Sequence, residues 1–109
     1  MLDILDFKQT SEEHSDCSTD YDVKLRKEVK LSELIEEILK RKEWGDINVK
    51  TEKDWLNWPK LEFSYGKIIE NKIPKKFMNK KVVRLTSNGG WTQMHYYVEI
   101  ENKGIRKET

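Results

Sequence analysis

Lys81-Val-Val-Arg-Leu-Thr-Ser-Asn-Gly-Gly-Trp-Thr-Gln-Met-His-Tyr-Tyr-Val-Glu-Ile100 is the stretch on which the fold is decided. Two β-favouring runs flank Asn88-Gly89, a step suited to a two-residue hairpin turn because both central positions of such a turn need positive φ. With that turn, Ser87 pairs with Gly90, Leu85 with Thr92 and Val83 with Met94. Val83, Leu85, Met94, Tyr96, Val98 and Ile100 then share one apolar face, whereas a one-residue slip would split it. The other face carries Val82, Arg84, Thr86, Trp91, Gln93, His95 and Tyr97, an unusually aromatic set for a solvent side.

Working outward, Leu31, Leu34, Ile35, Ile38 and Leu39 follow the spacing of a helix with one buried face. Ser32 is the expected N-cap and Gly45 the closing residue. Glu33, Glu36 and Glu37 come early and Lys40, Arg41 and Lys42 late, as the helix dipole favours. Before the helix, Tyr21, Val23 and Leu25 alternate with Asp22, Lys24 and Arg26, a half-buried strand that ends or bulges near Lys27. After it, Ile47 and Val49 mark a short strand from Asp46 to Thr51. The segment with Trp55, Trp58 and Pro59 reads as an ordered loop. Leu61, Phe63 and Tyr65 form a third strand ending at Gly66, and Ile68-Ile69 continue it past a bulge or make a short strand of their own. Residues 72–80, with Pro74, read as a basic loop.

The expected fold is therefore α+β and two-layered. One amphipathic helix packs on a mostly antiparallel sheet of about four to six strands, in the order β-α-β-β-(β)-β-β, closed by a C-terminal hairpin. Residues 1–20 are set apart as an acidic flexible segment, 21–102 as one domain and 103–109 as a polar tail. Within the first segment, residues 1–7 read as a frayed terminus, an added edge strand or a docking segment. One helix does not cover both faces of such a sheet, so the second face is left to water, to the Trp55/Trp58 loop or to another chain.

The chain of 109 residues has a formal net charge of +1, which argues against a strongly basic nucleic-acid binder and against a polyanion mimic. The charge is unevenly placed. Residues 1–22 hold seven acids and one base, whereas residues 67–84 hold seven bases and one acid. A single cysteine excludes an intrachain disulfide. No run approaches the ~18 apolar residues of a membrane span, and the N-terminus lacks the basic start of a secretory signal, so a cytoplasmic location is expected. Alanine is absent while Lys, Ile and Asn abound, which suggests an AT-rich bacterial or phage coding source; with the small size and lack of catalytic motifs it fits an accessory protein of a phage or mobile element, and host-defence inhibition is one setting.

No pattern specifies catalysis or a cofactor. His95 has no nucleophile signature nearby, and Asn88-Gly89-Gly90 lacks the spacing of a phosphate-binding loop. His14 and Cys17 fall short of the four ligands of a structural zinc site, so no metal is expected. The expectation is a non-enzymatic binding or inhibitor module. Its working surface joins Trp91, His95, Tyr97 and Arg84 to the lysines Lys75, Lys76, Lys80 and Lys81. Aromatics on a sheet beside cations suit a protein or protein–nucleic-acid complex with an acidic or phosphate-bearing surface. Two alternatives stand beside it. One is a homodimer or larger homo-oligomer holding a nucleotide-like small molecule. The other is an immunity or antitoxin-type protein acting through its acidic N-terminus. No membrane partner is expected.

Overall fold

The computed structural model describes residues 4–15, 17–50, 58–90 and 93–101. The described residues build a single helix on a mixed seven-stranded sheet, an α+β fold with more strands than the sequence suggests. In chain order the elements are β1 (Leu5–Gln9), β2 (Thr19–Leu25), α1 (Leu31–Lys40), β3 (Trp44–Lys50), β4 (Lys60–Ser64), β5 (Lys67–Asn71), β6 (Val82–Gly89) and β7 (Met94–Ile100). A short 3-10 turn, Lys75–Phe77, precedes β6. Across the sheet the order is β1-β2-β6-β7-β3-β4-β5. All neighbours are antiparallel except β3 and β7, which run parallel. No helix among the described residues is long and apolar enough to cross a membrane.

The extra strand is β1. Leu5 is buried in the core, and residues 5–9 pair with β2 from Leu5↔Leu25 to Gln9↔Tyr21. This matches the edge-strand alternative for the N-terminal run.

The β6–β7 hairpin forms, but its register corrects the expected one. Gly89 pairs with Met94, Ser87 with Tyr96 and Leu85 with Val98, so Leu85 meets a residue six positions beyond Thr92. The connection runs from Gly90 to Gln93, where the Gly90 N–H donates to the Gln93 carbonyl at 3.0 Å. Asn88 and Gly89 are drawn into the ladder because β2 pairs with them on the other edge, Asp20 opposite Asn88 and Thr19 opposite Gly89. Gly89 is required for close approach, since a Cβ there would lie 2.7 Å from the Gln93 carbonyl oxygen. The true two-residue turn with positive φ is Tyr65-Gly66, at +52° and +79°, which joins Ser64 to Lys67.

An even slip leaves the faces unchanged, so Leu85, Tyr96, Val98 and Ile100 stay on the core side. Val83 is the exception. The ladder bulges between Val82 and Arg84, which turns Val82 inward at 4% exposure and Val83 outward at 56%.

The helix covers the core face with Leu31, Leu34, Ile35 and Ile38. Opposite them lie Val23, Ile47, Val49, Leu61, Phe63, Leu85, Tyr96 and Val98, all buried. Its N-terminus also departs from expectation. Lys30, not Ser32, occupies the cap position, and its N–H donates to Glu33 Oε1 at 2.8 Å. The N–H groups of Leu31 and Ser32 donate to the carbonyls of Lys80 and Met78. Backbone from the basic loop thus satisfies the first-turn donors that a Ser side chain would otherwise take. That loop is pinned from within by Ile73 and Phe77, both buried. At the other end Lys42 adopts the positive φ of +57° expected of Gly45, which lies inside β3. Lys40 meets Glu37 at 3.0 Å. Arg41 meets Glu43 at 3.3 Å and lies over the Phe7 ring at 4.6 Å. Glu43 in turn accepts from the buried Tyr96 hydroxyl at 2.5 Å. Burial first, and the Glu43 carboxylate second, push that phenol far above its ordinary range.

A candidate anion-binding seam on the polar face

Strand alternation puts the side chains of Asp22, Lys24, Arg84, Thr86, Asn88, His95, Tyr97, Asp46 and Asn48 on the face away from the helix. The registers then align them in rows across the strands. One row runs Asp20–Asn88–His95–Asp46–Glu62, and the next runs Asp22–Thr86–Tyr97–Asn48–Lys60.

The first row is tied by hydrogen bonds. Asn88 Nδ2 donates to Asp20 Oδ1 at 2.6 Å, and Asp20 Oδ2 lies 3.0 Å from His14 Nε2. His95 Nδ1 lies 2.9 Å from Asp46 Oδ1, which also accepts from Asn48 Nδ2 at 3.0 Å. The His14 hydrogen bond first, then that from Asn88, hold the Asp20 carboxyl below its ordinary range. Ser11 Oγ and Asp20 both approach Nε2 of His14, at 3.5 and 3.0 Å. No Ser, Thr or Cys among the described residues is hydrogen-bonded to His95, and no cluster there could hold a metal ion.

In the second row Tyr97 is 37% exposed, and the Trp58 ring meets it edge-on, with centroids 5.9 Å apart at 82°. Burial first, then the negative fields of Asp46 and Asp20, push the Tyr97 phenol upward. Of the three covers left open for this face, the Trp55/Trp58 loop supplies one at this point, through Trp58. Trp55, like Trp91 of the proposed surface, lies outside the described residues.

On this face β2 and β6 part. The β2–β6 ladder ends at Asp22↔Thr86, while β2 continues to Leu25 beside β1, and β6 begins at Val82 beside β7. Residues 26–30 close the gap, with the Val82 N–H donating to the Val29 carbonyl. The result is a cleft of about 710 Å³ over Val23 and Leu85. Its lining carries six bases (Lys8, Lys24, Arg26, Lys27, Lys81, Arg84) against three acids (Asp6, Asp22, Glu28). Arg26 lies 3.7 Å from Asp6 and Lys81 lies 3.6 Å from Glu28. Lys24, Lys27 and Arg84 have no ion-pair partner among the described residues. A second cleft, of about 340 Å³, continues along the seam past Thr86, Asn88 and Tyr97 and shares Asp22 and Arg84 with the first.

Of the residues singled out from the sequence, the structure brings Arg84, Tyr97 and His95 to one face and puts Lys81 at the rim of the basic cleft. It does not bring Lys75, Lys76 and Lys80 there. Lys75 and Lys76 lie on the 3-10 turn, and the Lys80 backbone caps the helix start. Lys24, Arg26, Lys27 and Trp58 were not singled out. Alternation placed Lys24 and Arg26 on a polar face, but nothing in the sequence says that β2 lies beside β6. Comparison of the chain with protein-family models, curated proteins and solved structures gives no match.

Proposed function

We propose that this protein is a small binding module, acting without catalysis, that engages an acidic or phosphate-bearing partner along the β2–β6 seam. The parting of β2 from β6 carries this reading: it leaves a cleft with an excess of three bases, and Lys24, Lys27 and Arg84 have no ion-pair partner among the described residues. Cations left without counter-charges in a concave site raise the local concentration of anions. The composition suits an accessory protein of a phage or mobile element, for which inhibition of a host defence complex is the proposed setting.

The test is binding of fluorescent polyphosphate at two salt concentrations, for the natural chain and for Lys24→Glu/Arg84→Glu. Both substitutions lie on the surface of the cleft, so the fold is retained. Affinity is expected to fall with salt and to be lost in the double variant. Equal affinity in the two proteins would sink the proposal.

A further inference from the structure

We infer that the ligand of this seam is a single strand of nucleic acid, with its phosphates in the basic cleft and a base against Tyr97. This rests on the anion-binding reading above and specifies its ligand. The two clefts meet at Asp22 and Arg84, which line both, and their chemistry differs on either side. Beyond them, the first cleft holds Lys24, Lys27 and Lys81. The second holds the half-exposed Tyr97 ring and the side chains of Thr86 and Asn88.

Arg84 and Thr86 are two residues apart on β6, about 7 Å. Since Thr86 pairs with Tyr97, cation and ring are separated by roughly the span from a phosphate to its base. An aromatic face stacks any unpaired base, and the neighbouring amide, hydroxyl and carboxylate can meet the donors and acceptors of a base edge. A duplex hides its base faces and offers nothing to Tyr97. An acidic or phosphorylated peptide would match the lysines, but it would bring further negative charge toward Asp20, which lines the second cleft alone. The amino groups of a base are donors that this carboxylate accepts.

Fluorescence anisotropy with a labelled ten-nucleotide single strand, the same sequence as a duplex, a phosphoserine peptide and polyphosphate separates these cases. The single strand is expected to bind tightest. With about three phosphate contacts, its affinity should fall roughly 20-fold between 50 and 200 mM salt. Tyr97→Leu keeps bulk against Trp58 but removes the aromatic face, and should weaken the single strand about tenfold or more while leaving polyphosphate unchanged. Tyr97→Phe should retain single-strand affinity. Should Tyr97→Leu fail to fold, titration of the natural chain keeps the test decisive, because stacking must shift the Tyr97 ring proton resonances upfield. Polyphosphate or phosphopeptide binding with no preference for the single strand, or with the Tyr97 resonances unmoved, overturns this inference and leaves the anion-binding reading standing. Failure of every anionic probe overturns both.

Discussion

Alanine at positions 82 and 83 separates the observed hairpin from the unbulged one that strict alternation predicts. Val82 is 4% exposed and packs in the core, whereas Val83 is 56% exposed at the lip of the cleft. Val82→Ala removes the equivalent of two buried methylene groups, about 1.6 kcal/mol at about 0.8 each. An incompletely collapsed void adds roughly 0.5 kcal/mol. The total is about 2 kcal/mol. For 109 residues the unfolding entropy near the midpoint is about 0.23 kcal/mol per kelvin, so Tm should fall by about 9 °C. Val83→Ala changes a surface side chain and should shift Tm by less than about 2 °C. Thermal unfolding followed by circular dichroism, with urea unfolding as a check that the slope m is unchanged, measures both. Without the bulge, Val83 would face the helix and Val82 the solvent. The reverse order of the two shifts, or equal shifts, would refute the bulged register and the outline of the cleft with it.

Two further outcomes follow from polar groups. Ser87 Oγ is buried with no hydrogen-bond partner among the described residues, so Ser87→Ala should stabilise the protein by about 1 kcal/mol, seen as a rise in urea midpoint; a fall would mean that the hydroxyl has a partner. The Asp20 carboxyl is held low first by His14, so in His14→Ala a carbon-detected NMR titration should show its pKa moving back up toward the ordinary value. A lowered folded pKa means that the ionised group stabilises the fold above the unfolded carboxylate pKa, about 3.9, and that this contribution is lost as pH falls through the folded value. The acid limb of the stability curve should therefore be shallower in His14→Ala. An unmoved Asp20 titration would contradict the contact.

What the sequence made legible is what depends on local pattern. The helix, the alternation in β2, β3 and β4, and the core side of β7 follow from periods of 3.6 and 2 that survive in the fold. What it hid depends on neighbours distant in the chain. Asn88-Gly89 carries the strongest local turn signal, yet pairing with Thr19 and Asp20 on the adjacent strand outweighs it. Tyr65-Gly66 carries a weaker signal and makes the tight turn: β3 pairs with β4 only as far as Ser64, and the β4–β5 ladder resumes at Lys67. Ser32 is a good N-cap in isolation, but backbone carbonyls from residues 78 and 80 reach the helix start and displace the cap to Lys30. The candidate site divides the same way. Arg84, His95 and Tyr97 share a face by alternation alone. The meeting of Lys24 with Arg84 across a parted ladder depends on strand order, which no local pattern encodes.

The order of the strands also explains why the parting falls where it does. β6 is held along its length by β7, and β2 along its length by β1, so each is committed to a partner on its far side. The Val82–Arg84 bulge adds local twist to β6 near its start. At that same end residues 26–30 leave β2 and reach the helix, meeting the start of β6 at Val29–Val82 and the residue before it at Lys30↔Lys81 and Glu28–Lys81. The β2–β6 ladder stops at Asp22↔Thr86, and the charged side chains lining the opening are six bases and three acids. A bulge and a crossover loop thus flank charged side chains around a notch in the sheet, with Val23 and Leu85 buried beneath it. Closing it by extending the ladder would bring Lys24 directly opposite Arg84, a like-charged cross-strand pair that disfavours zipping. Like charge on Lys24 and Arg84 thus opposes extension of the ladder past Asp22↔Thr86.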